Sequence, residues 1–207
     1  MCKYKYFFEN NFHQCKLYRT FVPIIKPISF ILMVTIHFDL TKIKAIVFEV
    51  DGVLSLETMP LHPTGEPMRV INTKDGYAMQ LAVKQGITLG IISECNTPAV
   101  RKRFESLGFQ YLYLKSGNKM NDFRDFINKT GFSPEEICYV GADITDYEVM
   151  QKAGLPACPA DAALEIKTIA RYISHNNGGQ GVGRDIIEQT LKAQGKWMQA
   201  NAFAFGW

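Results

Sequence analysis

The chain has 207 residues, 47% apolar and 21% charged, an ordinary globular composition that can bury a full core without metals or disulfides. Its net charge of +3 is uneven: residues 1–33 hold Lys3, Lys5, Lys16, Arg19 and Lys26 against Glu9 alone, a net of +4, which leaves about −1 for the remainder. The remainder has no basic footprint, so a nucleic-acid partner is excluded.

The five cysteines (Cys2, Cys15, Cys95, Cys138 and Cys158) are odd in number and form no CxxC pair. That is the pattern of reduced thiols in a cytoplasmic protein. Residues 21–38, FVPIIKPISFILMVTIHF, are mostly apolar. A membrane-spanning helix needs roughly 20 apolar residues. Here Lys26 and His37 interrupt the run, Pro23 and Pro27 break a helix, and no A-x-A cleavage site follows. The stretch reads as a disordered extension or a mis-assigned start, with a membrane anchor and a targeting peptide as the alternatives. The predicted division is an extension over 1–33, a domain over 34–198 and a tail over 199–207.

From Lys44 onward, short apolar runs alternate with helix-period segments. KAIVFEV (44–50) predicts a buried strand. A helix follows over 75–85, ended by Gly86; ITLGIIS (87–93) is the next strand; a helix over 97–107 closes at Gly108. YLYL (111–114) is a strand and MNDFRDFINK a helix ended near Gly131. Ser133 and Glu136 have capping-box spacing before the strand ICYVG (137–141). DYEVMQKAG then predicts a helix, followed by LPACP, the helix ALEIKTIA, the strand RYIS and a last helix DIIEQTLKAQ. Strands alternating with helices imply an α/β fold: a three-layer, Rossmann-like parallel sheet covered on both faces. One segment breaks the rhythm. MPLHPTGEPMRVI (59–71) has no helical period and carries HPTGE as a turn, which predicts a β-hairpin protruding after the first strand.

Ligands on such sheets bind beyond the carboxyl ends of the strands. After the first strand come Glu49 and Asp51, two carboxylates at i and i+2 on one side of an extended segment, able to share a hard cation such as Mg²⁺. A solvated loop is the bland alternative. After the second strand stands Ser93, a hydroxyl that suits a phosphate oxygen. Lys119 opens a helix, against the macrodipole unless it serves an anion. After the fourth strand, Gly141-Ala142-Asp143-Ile144-Thr145-Asp146 brings two more carboxylates, one of which helix capping by Asp143 explains equally well.

Taken in order, EVDG (49–52), Ser93, Lys119 and GADITD (141–146) resemble the haloacid dehalogenase phosphatases, whose pattern is DxDG, Ser or Thr, Lys, then GDDxxD. Residues 42–197 are similar to 3-deoxy-D-manno-octulosonate 8-phosphate phosphatases. The marks are the hairpin, NTKDGYAMQLAVKQG (72–86), YVGADITDYEVMQKAGLP (139–156), NNGGQGVGRD (176–185) and LKAQGKW (191–197). The resemblance implies a domain without a cap, Mg²⁺-dependent hydrolysis of a sugar-acid phosphate in lipopolysaccharide precursor synthesis, a cytoplasmic location and a homotetramer. In that family the first Asp of DxDG attacks phosphorus and the second is the acid and base. The hydroxyl and the lysine hold the phosphoryl oxygens.

Carried over, Asp51 is the acid/base, and Ser93 and Lys119 bind phosphate. Lys74 and Asp75 face substrate or a neighbouring subunit across a contact formed by residues 54–74. The implied cation set is Glu49, Asp51 and Asp143, the last replacing a ligand lost at Ala142. Three departures stand out: Glu49 replaces the nucleophilic Asp, Ala142 the metal-binding Asp, and Glu94 a glycine beside the phosphate loop. All three point toward weak catalysis, or toward a non-catalytic protein that binds a phosphorylated ligand or a partner.

Overall fold

The computed structural model describes residues 38–199. The expectations for residues 1–33 and for the tail beyond 199 lie outside these residues. Six parallel strands form one sheet in the order β3-β2-β1-β4-β5-β6: β1 (Ala45–Phe48), β2 (Thr88–Ser93), β3 (Tyr111–Leu114), β4 (Ile137–Val140), β5 (Leu155–Cys158) and β6 (Tyr172–Ile173). Every residue of β1 is buried, as expected of a central strand covered on both faces. Its alternate residues feed two cores. Ile46 and Phe48 pack with α1 (Thr73–Lys84), α2 (Pro98–Glu105) and α6 (Val182–Ala193) through Met79, Leu81, Phe104, Ile187 and Leu191. Ala45 and Val47 pack with α3 (Lys119–Thr130), α4 (Tyr147–Met150) and α5 (Leu164–Ile169) through Phe123, Phe126, Met150 and Ile166. Each half of a period-2 strand thus anchors one helical layer.

Most predicted elements sit where periodicity puts them. The fourth helix is shorter than expected. Ile144–Asp146 is a 3-10 turn, and α4 stops at Met150. Gly154 then packs so close to the 134–136 turn that a Cβ would lie 2.5 Å from the Glu135 carbonyl, while its N–H donates to the Pro134 carbonyl at 2.8 Å. The chain must turn inward there, which ends the helix. The hairpin is also slighter than a two-stranded ribbon: one antiparallel bridge, Leu61 to Pro67, and a tight turn with Gly65 at φ +87°.

The glycine-rich loop at 176–181 is a packing element. A Cβ on Gly179 would sit 2.7 Å from the Leu56 nitrogen, and its own N–H donates to the Val53 carbonyl at 2.9 Å. The loop lies directly on the backbone that leaves β1, and only glycine permits that approach.

Asp75 is placed differently from the expectation that it faces substrate or a neighbour. It is buried at the contact of α1 with α6, where Oδ1 accepts the Arg184 N–H at 2.7 Å and Oδ2 has no partner. Burial pushes its carboxyl up to about 6, against the opposing hydrogen bond and charge of Arg184. Lys74, one residue earlier, is exposed. The folded chain therefore holds a proton on Asp75 that the unfolded chain releases near 3.8. Stability from this group is full below that value, falls as pH rises from about 4 to 6, and is absent above 6. Asp75→Asn should raise the unfolding free energy at pH 7.5 by roughly 1–3 kcal/mol and flatten its pH dependence between about 4 and 6. Urea unfolding at several pH values checks this, and a variant less stable than the parent at pH 7.5 would refute it.

Candidate active site

The register of the central strands assembles the site. Phe48 lies opposite Ile91 of β2 and Val140 of β4, so the chain segments leaving β1, β2 and β4 emerge side by side. Glu49 follows β1, Ser93 ends β2, and Gly141-Ala142 follows β4. Lys119, the first residue of α3 behind the cap Asn118, points its ammonium into the same crevice.

The structure brings Glu49, Ser93, Lys119 and Asp146 together. Glu49 Oε1 accepts from the Ser93 hydroxyl and, at 2.8 Å, from the Val50 N–H; Oε2 accepts from the Lys119 ammonium. Lys119 Nζ donates also to Asp146 Oδ1 at 2.8 Å and to Thr145 Oγ1 at 3.0 Å. Asp146 is held on every side. Tyr139 OH donates to Oδ1 at 2.9 Å, and the N–H groups of Ala142 and Asp143 donate to Oδ2 at 3.0 and 3.4 Å. Gly141 leaves room for this, since a Cβ there would stand 2.6 Å from the Asp146 carboxyl carbon.

Glu49, Ser93, Lys119 and Asp146 are all buried. Burial raises Glu49 above the usual carboxylate range; the Lys119 charge opposes the rise and the Asp146 charge adds to it. Burial works against the Lys119 charge as well, but Asp146 and Glu49 outweigh it and raise the lysine. One ammonium thus serves two buried carboxylates.

Asp51, expected as the acid/base, lies apart from this cluster. It forms a two-pronged ion pair with Arg69 of the hairpin. Sequence reasoning passed over Arg69; the available signal was a lone arginine in the apolar returning arm PMRVI. Asp143 is exposed, and its Oδ1 accepts the Ile144 N–H at 2.8 Å. Glu94 is exposed at the mouth of a crevice of about 460 Å³ that Lys119 and Thr145 also line.

The predicted cation set of Glu49, Asp51 and Asp143 is not gathered. Among the described residues, no group of three His, Cys, Asp or Glu side chains converges as cation ligands. The reason is visible in the contacts: Glu49 is turned to Ser93 and Lys119, Asp51 to Arg69, and Asp143 to its own helical turn. Ala142 contributes only a methyl group, packed 3.1 Å from where a Cβ on Gly52 would stand. To hold a divalent cation here, Glu49 and Asp143 would have to turn away from these partners.

The sheet order, the crevice at its carboxyl edge and the lysine at the start of α3 define a haloacid dehalogenase-like hydrolase fold. Residues 101–186 match the family model described as haloacid dehalogenase-like hydrolase. The chain is 35% identical to the 3-deoxy-D-manno-octulosonate 8-phosphate phosphatase of Salmonella typhi over 159 residues, 77% of this chain and 85% of that protein. It therefore belongs to the 3-deoxy-D-manno-octulosonate 8-phosphate phosphatase family. The crystal structure of the Yersinia pestis phosphatase of that name superposes with a TM-score of 0.74 at 28% identity, covering 76% of this chain and 85% of the other. That of the Moraxella catarrhalis phosphatase, in complex with magnesium ion, phosphate ion and KDO, gives 0.74 at 25% identity, covering 77% and 91%. A cobalt-bound Haemophilus influenzae phosphatase gives 0.75 at 26% identity, covering 80% and 98%.

The two-to-one arrangement around Lys119 has an asymmetric consequence. Lys119→Met strands two buried carboxylates and should cost roughly 3–5 kcal/mol. Glu49→Gln leaves Lys119 paired one-to-one with Asp146 and should cost less than about 1 kcal/mol. Denaturant unfolding of both variants at neutral pH measures the difference, and equal losses would contradict the arrangement.

Proposed function

We propose that this chain is a catalytically weak member of its family, acting slowly on a sugar-acid phosphate monoester and binding Mg²⁺ less well than members with the full motif. The single observation that carries the reading is that the Glu49 carboxylate takes up the two donors, Ser93 and Lys119, that a phosphoryl group requires. A nucleophile must approach phosphorus with those donors on the phosphoryl oxygens. Here the residue in the nucleophile's position and the phosphate compete for the same hydrogen bonds. Asp51, the proton-transfer group, is paired with Arg69 and must leave that pair to protonate a leaving alcohol, which slows the step further. Glu94 adds negative charge at the crevice mouth; being exposed, it is screened and contributes less than the other two departures.

The decisive assay is phosphate release from 3-deoxy-D-manno-octulosonate 8-phosphate with excess Mg²⁺, beside the Salmonella typhi enzyme. The chain should be slower by at least about a hundredfold, the scale of one misplaced catalytic group. Glu49→Asp combined with Ala142→Asp should recover much of that loss, either change alone should do little, and Asp51→Asn should abolish the gain. A parent as fast as the Salmonella typhi enzyme would make Glu49 a working nucleophile and overturn the reading, and a folded double variant with no gain would favour the non-catalytic one.

A second reading, a non-catalytic partner-binding protein, is favoured by the hairpin surface. Leu61, Met68, Val70 and Ile71 are exposed on it, an apolar patch of the sort that marks association sites. In our reading residues 54–74 join copies of the chain into a homotetramer in the cytoplasm, with no membrane partner. No helix among the described residues is long and apolar enough to cross a membrane. Light scattering should report a tetramer, and Leu61→Glu with Val70→Glu should reduce it to smaller species. A parent that runs as a monomer at micromolar concentration would refute the assembly.

A further inference from the structure

Ser93 ends β2 opposite Leu114, the last residue of β3, and beyond that point the two chain segments stay bonded. The Lys115 N–H donates to the Cys95 carbonyl and the Ser116 N–H to the Ser93 carbonyl, each at 3.0 Å. Along an extended strand successive N–H groups point to opposite sides, so two in a row do not serve one neighbour. Lys115 turns both the same way by taking φ +59°, a left-handed conformation that a residue with a Cβ adopts at a cost. Ser116 is buried and carries the connection onward: its hydroxyl donates to Asp122 Oδ2 at 2.5 Å, in the first turn of α3.

We propose that Ser116 is a positioning residue that holds the Lys119 ammonium in place relative to the Ser93 hydroxyl, with the left-handed Lys115 as the corner that aims it. Three observations carry this. Ser116 bonds to both sides of the gap, to Ser93 through its N–H and to α3 through its hydroxyl, and Lys119 stands three residues further on. The Ser93 hydroxyl is set by the same loop, since the Cys95 N–H donates to it at 3.2 Å. Lys119 tolerates little displacement, because its three N–H bonds go to Glu49, Asp146 and Thr145, and a shift of α3 along its axis strains all of them together.

The bland alternative is that the cap residue Asn118 sets the helix by itself. Its Oδ1 accepts the Asn121 N–H at 2.9 Å. That bond lies within the first turn, so it fixes where α3 begins along the chain and not where α3 stands against β2. The bonds of Lys115 and Ser116 cross from the loop after β2 to the approach of α3, and so fix the second quantity. In its effect on binding, the inference rests on the reading above that Ser93 and Lys119 are the phosphoryl donors; the placement of Lys119 stands on the contacts alone.

The test uses the full chain and two readouts: proton exchange of the Lys119 ammonium, followed by nitrogen-15 NMR, and binding of inorganic phosphate, followed by calorimetry. Ser116→Ala should speed the exchange by at least about tenfold, as a tie on a protected group is lost. It should weaken phosphate binding by up to about tenfold, the net worth of one hydrogen bond. Ser116→Thr keeps the hydroxyl and should restore both. Lys115→Gly should raise Tm by relieving the left-handed backbone, with the exchange unchanged. A serine with a merely structural role would lower Tm in Ser116→Ala and move neither readout, and that result overturns the proposal. A parent that binds no phosphate overturns the reading of Ser93 and Lys119 as phosphoryl donors, and the exchange rates then decide the placement by themselves. If Ser116→Ala does not fold, Asp122→Ala removes the same hydrogen bond, and exchange no faster than in the parent refutes the proposal.

Discussion

A single ammonium group, that of Lys119, holds three elements of this domain at one point. It stands at the first turn of α3, where the helix dipole disfavours a cation, and it is buried. A buried, badly placed positive charge persists only when anions compensate it. Glu49 supplies one from the end of β1 and Asp146 another from the turn after β4. The requirement explains details that otherwise look unrelated. Gly141 must lack a side chain so that Asp146 can fold back. The N–H groups of Ala142 and Asp143 must point at its carboxylate, and Tyr139 must reach across from β4. Around Lys119 each of these buried polar side chains has a partner within the chain, which is how a buried network becomes rigid.

A matching arrangement of opposite sense lies a few residues away. There a carboxylate at the strand end, Asp51, is neutralised by a guanidinium from outside the sheet. Counting Glu49, Asp51 and Asp146 against Lys119 and Arg69, the five groups sum to −1. A crevice that must take up a dianionic phosphate together with a divalent cation needs unspent charge of both signs. Each of these five charges already has a partner within the chain.

The sequence made much of the scaffold legible, because the periods differ. AIVF and ICYV are apolar throughout, as strands buried on both faces must be, while α3 and α6 show helical spacing. The site residues at strand ends were legible for the same reason: the carboxyl edge is fixed once the strands are. What could not be read were pairings across long separations. Nothing local says that Arg69 returns to Asp51 after a turn, or that Glu49 reaches Lys119 across 70 residues. Asp75 misled because a charged residue opening a helix usually lies at the surface. It is buried because Gly183 lets α6 approach, with a Cβ there meeting Asp75 at 3.3 Å and Leu54 at 3.0 Å. The replacement of Asp by Glu at position 49 could be recognised as a change of reach, but not in which direction the reach would be used.

That direction is the deeper point. A glutamate is longer than an aspartate by one methylene, about 1.5 Å. In this fold the extra length carries the carboxylate out to the Ser93 hydroxyl and the Lys119 ammonium. On the proposed reading, in which Ser93 and Lys119 bind the phosphoryl group, the carboxylate is then a tethered competitor for those donors. A group held in place on the same chain acts at an effective concentration far above the millimolar level of a free ligand, by factors on the order of 10³ or more for a well-oriented contact. A phosphate ester must displace it, and the displaced carboxylate must then find another cation while still buried. Shortening the side chain withdraws the competitor but leaves Lys119 and Ser93 facing an empty, anion-seeking crevice beside a strand end that carries alanine at position 142. On the proposed reading, weak catalysis and the closed Glu49–Lys119–Asp146 network are therefore two aspects of the same residue at position 49.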